Sequence, residues 1–161
     1  ISNYQLMMKL IGLCADSPTV DDILAQPDVA ERVEVYRRQA NAFTEQLRRL
    51  GRMVDDVVVV DFRDEQVIHA GNRFMVYALF PQARVSIHVL PGRGGTNTVL
   101  AVGKSILDRT SPTDIGAVML RHGGGGHRAA GSCQVENERA DSLLEQVISE
   151  VAAKREPALT T

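Results

Sequence analysis

The sequence has no tryptophan, and its other aromatics are three tyrosines and four phenylalanines. An extensive base-stacking platform needs successive aromatic faces, so none is expected. Cysteine is scarce too. Cys14 and Cys133 are the two, far apart and in no C-x-x-C pattern, which points to a reduced, cytoplasmic protein with buried thiols and leaves a disulfide open. No apolar run approaches the ~18 residues of a membrane-spanning helix, and no signal peptide is visible. The formal net charge is −2, so nothing draws the whole molecule to a polyanion; such a site has to be a local patch. His69, His88, His122 and His127 share no ligand spacing with one another or with the cysteines, so no metal site is expected within this chain. The acid pairs Asp21-Asp22 and Asp55-Asp56 read as solvated charges. No G-x-S-x-G announces a serine nucleophile. Gly103-Lys104-Ser105 imitates the end of a P-loop, but the glycine required five positions before Gly103 is Thr98, which excludes a nucleoside triphosphatase of that type.

What is present is ordinary in bulk. A chain of 161 residues, 44% apolar and 24% charged, suffices for one globular domain with a good core. It begins at Ile1 and not at Met, as a piece of a longer protein would. Residues 4–14 are apolar on nearly every side and predict a helix that wants cover all round. Thr19 caps a short helix over 20–25. Pro27 opens and Gly51 closes a long helix, in which Val29, Val33, Tyr36, Ala40, Phe43, Leu47 and Leu50 form an a/d seam of about three heptads. That seam is either a homodimer interface or the buried stripe of a helix that packs on, or bridges, its own domains.

After Gly51 the period shortens to 2. Strands are predicted at 57–61, at 66–70 paired to it, at 84–90, at 98–104 antiparallel to the last, and at 131–136. In the third of these, Val85, Ile87 and Val89 share one face, and Ser86 and His88 the other. Short helices are predicted at 74–80 and from Pro112, with Ser111 and Asp114 as a capping box. That second helix carries Ile115, Val118 and Met119 on its apolar face and ends on Arg121 and His122. Ala140, Leu143, Leu144, Val147, Ile148 and Val151 define the last helix, and residues after Lys154 read as frayed. The fold class is α/β, a small mixed sheet flanked by helices and preceded by an N-terminal helical segment. Residues 1–51 form that segment, 52–155 the α/β domain and 156–161 a tail.

The centre of the sequence is Arg121-His122-Gly123-Gly124-Gly125-Gly126-His127-Arg128-Ala129-Ala130-Gly131. Each glycine gives up roughly 0.5–1 kcal/mol of backbone freedom relative to alanine. A folded chain accepts four in a row where backbone must approach something closely or take positive φ. Bare N–H groups beside His127 and Arg128 suit an anion, most simply a phosphate. The competing reading is a tight helix-to-strand connection. Lys104 at a strand end is a further point charge for phosphate. Arg73 and Arg109 are candidates for which a structural ion pair competes with ligand binding, and Arg93 sits in an exposed Pro-Gly-Arg-Gly-Gly loop.

The block RHGGGGHRAAGSCQV, Arg121 to Val135, resembles the signature of the DHH-associated C-terminal domain of DHH-family phosphoesterases: a glycine run, a histidine and a small-small-glycine step. GNRFMVYALFPQARVSIHV resembles the exopolyphosphatase-like branch of that family, and together the likeness covers roughly 52–155. The resemblance implies a substrate-binding domain in which Gly123, Gly124, Gly125, Gly126 and His127 hold the phosphate end of a short oligonucleotide, a nucleotide or polyphosphate; Arg128, Lys104, Arg109, His88 and Arg73 are the further substrate-binding candidates. It also implies a separate N-terminal catalytic domain that carries divalent metal ions, usually manganese, on Asp and His motifs. No D-H-H occurs here, so this chain alone is expected to bind weakly and hydrolyse nothing. Where many relatives carry an arginine, this chain has His88. A non-enzymatic sensor of a phosphorylated ligand and a helical dimerisation module are the alternatives from other functional classes.

Overall fold

The structure, a computed structural model, describes residues 1–16 and 18–152. The tail expected at 156–161, and the fraying after Lys154, lie outside the described residues. The chain divides into two compact units, residues 1–43 with 69–71 and residues 44–68 with 72 onward.

The first unit is helical. α1 (Asn3–Ala15) starts at a capping box in which Ser2 accepts from the Gln5 N–H and Gln5 reaches back to the Ser2 N–H. α2 (Val20–Leu24) uses the same device through Thr19 and Asp22, and α3 (Pro27–Leu50) begins on its proline, where the missing N–H costs nothing. Lys9 pairs with Asp28 at 2.7 Å. No residue of α1 is buried; Leu6, Met7, Leu10, Ile11 and Cys14 line an open apolar groove of about 540 Å³. Both cysteines are free, and Cys14 is exposed, contrary to the expectation of two buried thiols. Within this unit Phe43 is buried against Gly71, where an added Cβ would stand 1.9 Å from its ring.

The second unit holds a six-stranded mixed sheet in the order β1-β2-β3-β4-β6-β5. β1 (Gly51–Val54) and β2 (Val57–Asp61) form a hairpin turned at Asp55-Asp56, with Asp55 at φ 52°. These acids are therefore not merely solvated, and Asp56 also accepts from Arg84 Nε at 2.7 Å. β2 runs parallel to β3 (Val85–Pro91) across a connection that carries α4 (Met75–Leu79). β3 pairs antiparallel with β4 (Thr98–Lys104), and β4 with β6 (Ala130–Val135). The strand expected at 66–70 is absent, because both edges of β2 are already occupied by β1 and β3. That segment is instead tied down by α3 side chains, with Gln46 donating to the Val67 carbonyl and Gln39 accepting from the Ala70 N–H.

One face of the sheet carries the core. Val57, Val59, Val85, Ile87, Val89, Leu100, Val102 and Cys133 pack with Ile115, Val118 and Met119 of α5 (Ile115–Arg121) and with Leu144, Val147, Ile148 and Val151 of α6 (Ala140–Val151). At about 1.5–3 kcal/mol per fully buried aliphatic side chain, this layer fixes which strand face turns away from α5 and α6. α5 begins three residues later than the Ser111 box predicts. Asp114 is itself the cap, accepting from the Ala117 N–H, while the carbonyl of buried Ser111 accepts from Lys104 Nζ at 3.0 Å.

Candidate functional site

Cross-strand partners in a sheet lie on the same face. With the valines and Ile87 of β3 committed to the core, Ser86 and His88 face the other way. The register carries that face across four strands in two rows. His88 stands opposite Ala101, Ala101 opposite Ser132, and Ser132 opposite Gly125; Ser86 stands opposite Gly103, Gly103 opposite Ala130, and Ala130 opposite His127. The interior of both rows is Ala, Gly or Ser, so the floor is low. Larger side chains stand at its ends: Arg73, Phe74 and Tyr77 with Ser86 and His88, and His127 on edge strand β5 (Gly125–His127). The result is an open cleft of about 520 Å³ that Lys104 and Ile106 also line. No carboxylate lines it, while two permanent cations, Arg73 and Lys104, do.

The glycines divide their work. α5 ends in a Schellman motif: the Gly123 N–H donates to the Leu120 carbonyl at 3.1 Å and the Gly124 N–H to the Met119 carbonyl at 2.9 Å, with Gly123 at φ 75°. That is the left-handed residue such a cap requires. The amides of Gly123 and Gly124 are thus paired and not bare, and neither residue lines the cleft. Gly124 is held by sterics as well, since an added Cβ would lie 2.0 Å from the Ser132 carbonyl oxygen. Gly125 differs: a Cβ there meets nothing within 4 Å, and the residue borders the cleft. Gly126 and His127 follow it in β5. An edge strand turns part of its backbone away from its one neighbour, and of the glycine run it is Gly125 and Gly126 that line the cleft.

The His127 side chain is exposed, and its Nδ1 accepts from the Ala129 N–H at 3.2 Å. The neutral ring therefore carries its proton on Nε2, a donor for an anionic oxygen. His88 is a different imidazole. Its ring meets Phe62 edge-on at 5.7 Å, and its Nε2 is buried with no hydrogen-bond partner. Burial, with the Arg73 charge adding to it, pushes its pKa down to about 4, so the ring is neutral at pH 7. The Tyr77 hydroxyl donates to the Gly103 carbonyl at 2.8 Å and shares a 2.7 Å hydrogen bond with Ser86, which pins α4 to the floor.

Of the residues singled out from sequence, Arg73, His88, Lys104, Gly125, Gly126 and His127 come together at this cleft. Gly123, Gly124, Arg128 and Arg109 do not line it. Arg109 is exposed and donates to the Ile106 carbonyl, and the Arg128 carbonyl accepts from the Ile115 N–H. Arg93 is exposed in a short 3-10 turn. Ser105 caps the turn after β4 by accepting from the Leu107 and Asp108 N–H groups, a structural task unlike that of a P-loop serine. Sequence reasoning missed Phe74, Tyr77 and Ile106 as cleft residues. It also missed the small-residue floor, whose signal was the alternation of Ala101 with Gly103 and of Ala130 with Ser132.

No protein-family model matches the chain, and no curated protein matches it. A solved phosphodiesterase is similar to it. That structure, a pGpG-specific phosphodiesterase (PggH) from Vibrio cholerae, is 49% identical with a TM-score of 0.74, over 94% of this chain and 51% of its own. The chain therefore spans about half the length of that enzyme. Among the described residues no three His, Cys, Asp or Glu side chains gather into a metal site, and no helix is long and apolar enough to cross a membrane.

Proposed function

We propose that this chain is the substrate-binding half of a DHH-type phosphoesterase and that its cleft takes the phosphate end of a short oligonucleotide, a 5′-phosphorylated dinucleotide first among them. The observation that carries the reading is the register, which sets Gly125 and His127 on one face of a cleft that Arg73 lines and no acid does. Likeness to a phosphodiesterase named for a dinucleotide supports it. In this scheme the His127 Nε2–H holds a phosphate oxygen beside the Gly125–Gly126 backbone, and the Arg73 guanidinium supplies positive charge at the other end of the cleft. The chain binds and orients, and no chemical step is assigned to its residues. The divalent ions of such enzymes are assigned to a separate catalytic domain, and no step is routed through them.

Calorimetry with pGpG tests this. His127→Ala should weaken binding by roughly 1.5–3 kcal/mol, the range for a hydrogen bond to a charged group. Gly125→Val should abolish binding while the fold survives, because a Cβ at that position has open space and the branched side chain would stand where the ligand comes closest. Unchanged affinity in both folded variants sinks the proposal.

A further inference from the structure

A phosphate at the β5 end leaves the opposite end of the cleft for the rest of the ligand. β5 and β3 are separated by β6 and β4, so the floor is about 14 Å wide at about 4.8 Å per strand. At the far end stand two apolar side chains that the fold leaves uncovered, Phe74 at 37% exposure and Ile106 at 44%, and both line the cleft. The Arg73 guanidinium carbon lies 4.9 Å from the Phe74 ring centroid. No carboxylate lines the cleft beside Arg73. Three positions on from Phe74, Tyr77 is 2% exposed with its hydroxyl fully engaged. The α4 segment thus buries one aromatic for the fold and leaves the other open at the cleft.

Resting on the phosphate reading, we infer that Arg73, Phe74 and Ile106 form a seat for the nucleobase of the ligand. A phenyl face and a guanidinium plane held against it both stack on a base, since every base has a π face, and Ile106 shields the base edge from water. A single-base seat needs one aromatic side chain, which agrees with a sequence too poor in aromatics for an extended platform. The cleft then distinguishes nucleotides from inorganic polyphosphate, which has no base to place there.

Titration of the chain with pGpG and with inorganic tripolyphosphate tests the seat. Phe74→Ala should lower pGpG affinity roughly tenfold, within the range of base–aromatic stacking, and leave tripolyphosphate affinity unchanged. Phe74→Leu repeats the test if the alanine variant does not fold. Because the sequence has no tryptophan, Phe74→Trp installs a single fluorophore, which pGpG should quench by stacking and tripolyphosphate should not. Equal losses for both ligands, no loss for either, or indole emission that stays unquenched at saturating pGpG overturns the proposal. His127→Ala separates the two readings. It should weaken both ligands; if it weakens neither while Phe74→Ala still weakens pGpG, the phosphate reading fails and the base seat stands.

Discussion

His88 shows how the sequence can give the face a side chain takes and leave its charge state open. Strand alternation put it beside Ser86 on the non-core face, and there it is. There stands an imidazole that burial keeps neutral, with a pKa of about 4. Of the two permanent cations that line the cleft, Lys104 has its ammonium on the Ser111 carbonyl, so among the described residues the unpaired charge there is that of Arg73, and His88 contributes shape. The shift has a thermodynamic consequence. The unfolded ring titrates near pH 6.5 and the folded ring near 4, so between these values the unfolded chain binds more protons and stability rises with pH. The contribution is complete above about pH 6.5 and is lost as pH falls towards 4, on the order of 3 kcal/mol in all. Urea midpoints at pH 7 and pH 4.5 should differ markedly less in His88→Gln than in the parent. An identical difference in both would mean that another group carries the acid sensitivity. Burial was not visible in the residue pattern, because an alternating strand says which face a side chain takes and not what covers it.

At the level of elements, the turn from α5 into β5 carries both readings of the glycine run at once. The first half is the helix-to-strand connection, with Gly123 and Gly124 spending their amides on the Leu120 and Met119 carbonyls; the second half is the edge strand that reaches the cleft. Four like letters could not reveal this division, since it depends on where α5 stops. Alanine substitution should separate the halves. Gly124→Ala forces a Cβ to 2.0 Å from the Ser132 carbonyl oxygen and should cost about 1–3 kcal/mol in urea unfolding, whereas Gly125→Ala should stay within about 1 kcal/mol of the parent. Equal effects at the two positions would contradict the division. Most element boundaries were legible because their signals are local: Thr19, Pro27 and Gly51 punctuate the helices as their backbone chemistry requires. The strand expected at 66–70 was not, since whether β2 has a free edge is decided by β1 and β3. The α3 seam shows the same limit. Phe43 and Leu47 are buried in this chain's own fold, so charge substitutions there report on folding and say little about a homodimer.

For the whole molecule, net charge and local charge part company. A chain of formal charge −2 nonetheless presents a cleft whose lining holds Arg73 and Lys104 and no acid, which is how a mildly acidic protein can take an anionic ligand. The same inventory separates binding from catalysis. An imidazole and a guanidinium hold a phosphate without help, but activating a water molecule on a phosphodiester calls for a metal or a general base at the reacting centre. The described residues supply no cluster of metal ligands. On the proposed reading, the 161-residue chain should bind pGpG equally well with manganese and with EDTA, and should release no mononucleotide in either, as followed by anion-exchange chromatography. Affinity that collapses in EDTA would place a cation in the cleft. Manganese-dependent release of GMP that His127→Ala abolishes would make the chain an enzyme in its own right, and the separation of binding from catalysis would be wrong.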